Sequence, residues 1–201
     1  MCSSFYAAFI DPLLKDVRYF IPTFADMKPG DRVLDVCCGT GDQALHYAAN
    51  GIDASGIDLD EVMIIQAERS REKRYLKARF SLQDAAKLSF EDGVFDFATI
   101  SMALHEKDSA LQDSVLAEMR RVTKKDGALV MVDFSAPLPR NVSGLIMRSV
   151  EFIVGGEHYR NFRAFLRSGG LEMLVWRNDL KVQKRASLKG GALTTLLVAV
   201  P

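Results

Sequence analysis

The stretch Val33–Ala44 reads VLDVCCGTGDQA, and it decides the fold. A short apolar run ends in an acid, two cysteines follow, and Gly39-Thr40-Gly41 leads into a helix-forming segment. A buried strand that turns through glycines into a helix is typical of the first half of a strand–helix–strand unit. The stretch therefore predicts a parallel sheet. It leaves three interpretations open: a cysteine site, a dinucleotide loop, or a loop for another nucleotide-like ligand.

Alternating strands and helices continue along the chain from this stretch. The sequence predicts strands over 32–37, 53–59, 77–84, 94–101 and 127–135, and helices over 42–50, 60–73 and 109–124. This alternation indicates an α/β fold with a doubly wound sheet.

The last third has a different pattern. Residues 144–154 and 157–166 are predicted to be helical, whereas 171–179 and 192–200 are predicted to be strands that form a hairpin at the sheet edge. Before the first strand, residues 5–24 are expected to form a helix interrupted around Pro12 and Pro22. The strand at 171–179 is expected to bury Trp176.

Composition limits the class of protein. The chain has 201 residues, 48% of them hydrophobic, which is the size of a single domain, 1–201. Lys+Arg and Asp+Glu are both 26, and this zero net charge argues against a dedicated nucleic-acid partner. No apolar run reaches the ~18 residues of a membrane span, and no signal peptide is recognised, so no membrane insertion and a cytoplasmic location are expected.

The cysteines indicate packing rather than chemistry. The chain has an odd number of cysteines, Cys2, Cys37 and Cys38. Cys37 and Cys38 are adjacent and cannot readily form a disulfide with one another. No second Cys/His pair completes a zinc site, so no metal is expected.

The residues at the ends of the predicted strands are the candidate ligand-binding groups, because ligands of open α/β sheets lie beyond the carboxyl ends of the strands. Asp35 ends the first strand, Asp58 the second, and Asp84 the third, followed by Ala85. The fourth strand ends in Ser101-Met102, with His105 just beyond. Two other acids are expected to be structural: Asp42 is expected to cap the helix over 42–50, and Asp96 to have a structural role at the start of the fourth strand.

Three carboxylates at one edge disfavour a phosphate and favour hydroxyl and amine groups. Gly39 and Gly41 allow a ligand to approach the backbone. Asp58 can accept hydrogen bonds from a ribose diol, Asp84 from an exocyclic amine, and Asp35 can hold an ammonium group. An adenosine with a charged amino-acid tail, S-adenosylmethionine (SAM), has these groups.

At this point the sequence resembles the class I SAM-dependent methyltransferases, and within them the C-methyltransferases of ubiquinone and menaquinone biosynthesis. The resemblance covers about residues 5–137 and is carried by four motifs: VLDVCCGTGD, GIDLDEVMI, DAAKLSFEDGVFDFATIS and LAEMRRVTKKDGALVMVDFSAP. It implies a Rossmann-like class I methyltransferase fold with a seven-stranded, mostly parallel sheet. It also implies SAM as cofactor, bound by Asp35, Cys37, Cys38, Gly39, Thr40, Gly41, Asp58, Leu59, Met63, Asp84, Ala85, Ser101 and Met102.

Two departures from the family pattern matter. Cys37 takes the first glycine position of the usual loop, and the segment after the fifth strand is short. The short segment argues against a bulky polyprenyl-quinone acceptor.

The methyl acceptor is therefore expected to be a small molecule that is methylated on carbon or oxygen. It would lie between an N-terminal helical lid, 1–28, which includes Tyr6 and Phe9, and a small helical cap, 138–168. His105 is the first candidate for a base or acceptor ligand, and Tyr159 the second. The alternatives are a solvated His105 and ordinary packing for Tyr159; a homodimer is also left open.

Two other functions compete with methyl transfer. Gly39-x-Gly41-x-x-Ala44 fits the fingerprint of an NAD(P)-dependent oxidoreductase, and Asp58 follows at about the expected 20 residues. Asp35 is unfavourable beside a pyrophosphate in that interpretation. The third possibility is a SAM-binding protein without catalysis, because methyl transfer requires no attacking residue of the protein.

Overall fold

A computed structural model describes residues 15–201, so the predicted lid residues Tyr6 and Phe9 lie outside the described part of the chain. The first half contains α1 (Lys15–Phe24), β1 (Arg32–Val36), α2 (Asp42–Ala49), β2 (Asp53–Asp58), α3 (Glu61–Arg74), β3 (Arg79–Leu82) and β4 (Phe95–Ser101). The second half contains α4 (Ser109–Val122), β5 (Thr123–Phe134), α5 (Val142–Val154), α6 (Gly156–Arg167), α7 (Gly170–Arg177), β6 (Lys181–Leu188) and β7 (Leu193–Ala199).

The strands form one seven-stranded sheet in the order β3-β2-β1-β4-β5-β7-β6. β1 to β5 are parallel, and β7 is antiparallel to both β5 and β6. The predicted mostly parallel sheet with a C-terminal antiparallel hairpin is thus confirmed. The strand order changes direction between β1 and β4, and such a switch point opens a crevice at the carboxyl ends of the strands.

Burial explains why the central segments are strands. Val33, Leu34 and Val36 of β1 have no exposed surface, as expected for a strand covered by helices on both faces. The helix predicted over 109–124 is α4, and it places Val115, Leu116, Met119 and Val122 in the core at helical spacing.

The predicted hairpin used the wrong segment for its first strand. Residues 170–177 are a helix, α7, in which Leu171, Leu174 and Val175 are buried at the i, i+3, i+4 spacing of one helix face. The strand that pairs with β7 is the next segment, β6, and it is mostly exposed. Trp176 is accordingly not a core residue: it lies on α7 and is 72% exposed.

Two local predictions are wrong. The α1 helix continues through Pro22 to Phe24, so the interruption predicted there is wrong. Gly41, not Asp42, is the N-cap residue of α2, and the Asp42 carboxylate pairs instead with Arg18 (3.0 Å) and Arg74 (2.7 Å).

The structural role predicted for Asp96 is confirmed. Its carboxylate accepts hydrogen bonds from Arg32 N (2.8 Å) and Lys124 Nζ (2.6 Å), which ties together the amino ends of β1, β4 and β5.

The sheet has two open edges, formed by β3 and β6. β3 has only four residues, whereas β6 is an exposed strand of eight. On β6, Lys184 pairs with Asp26, and Arg185 Nε lies 3.0 Å from Glu172 Oε1 of α7. Within residues 15–201, none of the helices has the length and hydrophobicity of a membrane-spanning segment.

Candidate active site

The loop between β1 and α2, residues 37–41, forms the floor of the crevice. Cys37, Gly39 and Gly41 all have positive φ, between 52° and 75°. Gly39 N donates a hydrogen bond to Asp58 Oδ2 (2.8 Å), and Cys38 N donates to Ile57 O (2.8 Å), so the loop is fixed to the end of β2.

The two glycines of this loop have different surroundings. A Cβ added to Gly39 would meet no heavy atom within 4 Å, so the backbone there faces open space. A Cβ on Gly41 would lie 2.6 Å from the Phe80 ring and 2.7 Å from Ala67 Cβ. Gly39 therefore leaves room for a ligand, whereas Gly41 allows close packing of the loop against α3 and β3.

A large cavity of about 510 Å³ opens over this loop at the carboxyl ends of β1, β2 and β4. Its lining includes nine of the predicted cofactor residues: Cys37, Gly39, Asp58, Leu59, Met63, Asp84, Ala85, Ser101 and Met102. Sequence reasoning missed its other lining residues, Ile57, Asp60, Gln83, Ala103, Glu106, Lys107, Leu111 and Val115.

Asp58 and Asp84 both retain acceptor capacity toward the large cavity. The Asp58 carboxylate accepts hydrogen bonds from the backbone N–H groups of Gly39 (2.8 Å) and Asp60 (3.0 Å), one on each oxygen. Asp84 Oδ1 accepts from Ala86 N (2.9 Å). An ionised carboxylate has about four lone-pair positions, so each side chain is held in place by the backbone and can still accept from a ligand.

A small cavity of about 50 Å³ lies beside the same loop. It shares Cys37, Gly39, Ser101 and Met102 with the large cavity. The remaining lining residues are Val17, Arg18, Asp35, Cys38, Thr40 and Gln43. Together the two cavities contain every predicted cofactor residue except Gly41.

Three residues that line the small cavity have buried polar atoms with no hydrogen-bond partner among the described residues. These atoms are Asp35 Oδ2, Gln43 Oε1 and Ser101 Oγ. The other Asp35 oxygen accepts a hydrogen bond from Thr99 Oγ1 (3.0 Å). A buried polar atom without a partner is costly, and such atoms at a cavity wall indicate where a polar ligand binds.

Burial controls the protonation of Asp35. Asp35 is only 2% exposed, and burial raises the pKa of its carboxyl to about 7, against the opposing effects of Thr99 and Arg18. A cationic group beside Asp35 Oδ2 would favour its ionised form.

The cysteines act as small packed side chains, as predicted. Cys37 and Cys38 are free thiols, and burial raises the pKa of Cys37 to about 12 and that of Cys38 well above its ordinary value. Neither thiol forms a thiolate near neutral pH, so neither is an activated nucleophile.

Two non-glycine residues that line both cavities have left-handed backbone conformations. Cys37 and Met102 each have φ of 56°, and Met102 N donates to Val132 O (2.8 Å). Such conformations cost on the order of 1–3 kcal/mol and cluster at ligand-binding sites. No sequence signal pointed to this strain, because neither residue type favours positive φ.

His105 lies behind the cavity wall rather than on it. The interpretation as a solvated surface residue is wrong, because His105 is only 3% exposed. Its Nδ1 lies 2.7 Å from Asp133 Oδ1, and its ring packs edge-to-face against Phe134 at 4.7 Å. Burial alone would lower the pKa of His105, but Asp133, together with Glu151 and Glu106, outweighs burial, and the pKa is raised.

Asp133, at the end of β5, was missed by sequence reasoning. Its Oδ2 accepts hydrogen bonds from the backbone N–H groups of Leu104 (3.0 Å) and His105 (3.1 Å), and its Oδ1 accepts from Phe134 N (2.8 Å). The carboxylate therefore fixes both the chain after β4 and the His105 ring.

Residues of α5 and α6 complete the surroundings of His105. Glu151 Oε1 lies 3.8 Å from His105 Nε2, and Glu151 Oε2 lies 2.6 Å from His158 Nε2. His158 Nδ1 lies 3.5 Å from Glu106 Oε2. The carboxylates of Glu106 and Glu151 raise the pKa of His158 to about 10.

Tyr159, the second acceptor candidate, packs within the helical cap. Its ring lies 5.5 Å from that of Phe152 and 6.1 Å from that of Phe162, and the Arg163 guanidinium lies 5.8 Å from its centre. Neither cavity described above includes Tyr159 in its lining.

A further cavity of about 610 Å³ lies on the opposite side of the sheet from the carboxyl ends of the strands. It is lined by residues at the amino ends of β4 and β5, such as Gly93 and Thr123, and by Arg120 and Lys125. Because Asp35, Asp58 and Asp84 lie at the carboxyl ends of the strands, this cavity cannot hold the ligand that they bind.

Comparison with known proteins agrees with this geometry. Residues 33–127 match the family described as methyltransferase domain. Two demethylmenaquinone methyltransferases are similar in sequence. That of Beutenbergia cavernae is 38% identical over 110 residues, or 55% of this chain and 43% of the relative. That of Thermus thermophilus is 36% identical over 144 residues, which is 69% of this chain and 64% of the relative. The chain thus spans less than two thirds of the length of either relative.

A solved structure extends the similarity to the whole fold. The crystal structure of a SAM-dependent methyltransferase from Aquifex aeolicus matches with a TM-score of 0.73 and 18% identity, covering 100% of both chains. Residues 33–127 are therefore a methyltransferase domain, within a class I SAM-dependent methyltransferase fold. Within that class, the chain is similar in sequence to the demethylmenaquinone methyltransferases.

Proposed function

We propose that this chain transfers a methyl group from SAM to carbon or oxygen of a small molecule. One observation carries the proposal: two cavities that share four lining residues beside the 37–41 loop both contain acidic acceptors. Asp58 and Asp84 line the large cavity, and Asp35, whose Oδ2 has no partner among the described residues, lines the small one. This arrangement matches a ligand with hydroxyl and amine groups at one end and an ammonium group at the other.

The chain's own residues hold the cofactor in this proposal. Asp58 accepts from the ribose hydroxyls, Asp84 from the adenine amine, and Asp35 binds the ammonium group. The open backbone at Gly39 allows the ligand to pass from one cavity to the other. The arrangement disfavours NAD(P), because the buried Asp35 would repel a pyrophosphate at this loop.

Positioning is the main catalytic task of the protein. SAM supplies a methyl group on a positively charged sulfur. The walls formed by Ser101, Met102 and Ala103 limit where an acceptor can approach. Holding the reacting atoms about 3–3.5 Å apart in line supplies a large part of the rate enhancement.

The acceptor is proposed to be compact and quinone-related. The similarity to proteins named demethylmenaquinone methyltransferases supports an aromatic acceptor of this kind. The shortness of the 138–168 cap supports an acceptor without a long polyprenyl tail. We place the acceptor between α1 and this cap. The roles of His105 and Tyr159 toward the acceptor stay predictions.

Location and partners belong to the same proposal. The free thiols Cys37 and Cys38 support a reducing compartment, and we propose the cytoplasm. The zero net charge supports a protein without a nucleic-acid partner. We also propose that 1–201 is a single domain; the homodimer stays a prediction that light scattering can test.

Parallel calorimetric titrations with SAM, S-adenosylhomocysteine and NAD test the proposed cofactor. We expect the first two to bind and NAD to give no heat of binding. Binding of NAD in preference to SAM would establish the oxidoreductase instead.

Release of S-adenosylhomocysteine in the presence of phenolic, quinol and small-acid acceptors then tests the reaction. We expect turnover with at least one quinol-like acceptor. Tight SAM binding with no release for any acceptor would favour a SAM-binding protein without catalysis.

A further inference from the structure

Three side chains from separate parts of the chain converge beside the active site. His105 follows β4, Glu151 lies on α5, and His158 lies on α6. One ligand-type atom from each lies within 4.8 Å of the others. His105 and Glu151 are buried, and His158 is partly exposed, so the cluster can be reached from the His158 side.

Each histidine of this cluster has a carboxylate at its second ring nitrogen. His105 Nδ1 lies 2.7 Å from Asp133, and His158 Nδ1 lies 3.5 Å from Glu106. In both rings Nε2 is the nitrogen that faces Glu151. Metal-binding histidines almost always donate their other N–H to a carboxylate, carbonyl or water, which orients the ring and makes the ligating nitrogen more basic.

We propose that His105, Glu151 and His158 bind one divalent first-row transition-metal ion, through Nε2 of each histidine and the carboxylate of Glu151. Asp133 and Glu106 orient the two imidazole rings. The inference is independent of SAM, because none of the three ligands lines either cofactor cavity within the described part of the chain.

The set of ligands selects the class of ion. Two imidazole nitrogens and one carboxylate suit Zn²⁺, Fe²⁺ or Co²⁺, whereas Mg²⁺ and Ca²⁺ prefer oxygen ligands. Three protein ligands leave at least one position for water or a substrate oxygen. The rings of Phe134 and Phe162, at 4.7 and 6.1 Å from that of His105, form an apolar wall around the site.

The alternative is a metal-free ion-pair network, in which protons on the histidines balance the carboxylates. The two arrangements compete directly, since a metal ion displaces the proton from a ligating nitrogen. A metal on His105 Nε2 would also prevent that nitrogen from acting as a base. The metal would instead join the α5–α6 cap to the sheet through His105.

Direct metal titration distinguishes the two arrangements. The chain is first depleted of metal with a chelator and then titrated with Zn²⁺ in calorimetry, with bound metal counted after dialysis. We expect one Zn²⁺ per chain in the parent. Removing a group that only orients a ligand typically costs about 10–100-fold in metal affinity, and Glu106→Gln should fall within that range. His158→Gln and Glu151→Gln each remove a ligand, so both should lose more than about 100-fold in affinity for Zn²⁺.

His46→Gln is the matched control, because His46 is the remaining histidine of the chain and lies on α2, outside the cluster. It should bind Zn²⁺ like the parent. Circular dichroism and SAM titration of every variant separate loss of metal binding from loss of the fold and from failure of the proposed function.

Co²⁺ substitution provides a second readout. The visible absorption of bound Co²⁺ reports its coordination geometry, and it should appear in the parent and disappear in His158→Gln. Absence of stoichiometric Zn²⁺ binding in the folded parent would overturn the proposal. So would Zn²⁺ binding that is unchanged in His158→Gln and Glu151→Gln.

Discussion

The carboxyl ends of β1–β3 and of β4–β5 both present acidic side chains, but the two regions differ in what occupies the acceptor atoms. Among the described residues, Asp35 has an oxygen without a partner, and Asp58 accepts two backbone hydrogen bonds in front of an open cavity. Asp133 accepts four hydrogen bonds, all from its own protein, including that from the His105 ring. The first region is thus prepared for a ligand, whereas the second holds protein groups in place.

The largest expected effect tests the ligand role of the first region. In the proposed binding mode, Asp58→Ala removes two hydrogen bonds to the ribose hydroxyls, each worth roughly 1.5–3 kcal/mol to a charged acceptor, so SAM should bind about 10²–10⁴-fold more weakly. Calorimetry measures the change. Asp53→Ala is the matched control, because Asp53 lies at the other end of the same strand.

Unchanged SAM affinity in a folded Asp58→Ala chain would remove the ribose assignment. Equal losses in Asp58→Ala and Asp53→Ala would point to damage of β2 rather than to a ligand contact.

Asp35 predicts a dependence of stability on pH. The folded chain retains the Asp35 proton up to about pH 7, whereas the unfolded chain releases it near pH 3.8. Between these values the folded state binds more protons, so the free energy of unfolding falls as the pH rises. A shift of about three pKa units corresponds to about 4 kcal/mol at most.

Asp35→Asn removes this titration. Urea unfolding at pH 4.5 and pH 8 should therefore show a smaller decrease for the variant than for the parent. The comparison uses the pH dependence, because the amide itself changes stability at every pH. Parallel curves for the two proteins would contradict the raised pKa of Asp35.

His105 tests the second region. His105→Ala should lower the turnover of an identified acceptor by about 10²–10⁴-fold if the ring acts on the acceptor. SAM affinity should stay near that of the parent, because His105 lies outside both cofactor cavities. His46→Ala is the control. Turnover within a few-fold of the parent would exclude His105 from the reaction.

The smallest expected effects concern the two glycines of the 37–41 loop, Gly39 and Gly41. Gly41→Ala places a Cβ against Phe80 and Ala67 and should lower the free energy of unfolding by about 1–3 kcal/mol. Gly39→Ala shares the cost of a positive φ but places its Cβ in open space, so it should lower the free energy of unfolding less than Gly41→Ala and should mainly weaken SAM binding. Denaturant titration and calorimetry on both variants measure the contrast, and equal effects on stability would contradict it.

The sequence was sufficient to predict the first region because local signals determine it. Strand ends, glycines and acids lie close together along the chain, and parallel strands bring their carboxyl ends to one edge. The same rule applied to β5 would have found Asp133. The partners of His105 could not be found in this way, because Glu151 and His158 reach it from helices whose packing no local pattern specifies.

The C-terminal errors have a similar cause. The segment around Leu171 is a short apolar run, and such a run is compatible with a strand or a buried helix. β6 has little apolar alternation because it is an exposed edge strand, so its sequence did not indicate a strand.

The edge position of β6 has a consequence for behaviour at high concentration. An open edge offers unpaired N–H and C=O groups to the edge of another molecule, which is a common route to aggregation. β6 carries Lys181, Lys184 and Arg185 on exposed positions, the last two paired with Asp26 and Glu172, and a second edge could pair with β6 only by displacing or desolvating these charged groups. The opposite edge, β3, is too short to offer a long template. Concentrated solutions of the folded chain should therefore resist edge-to-edge fibril formation.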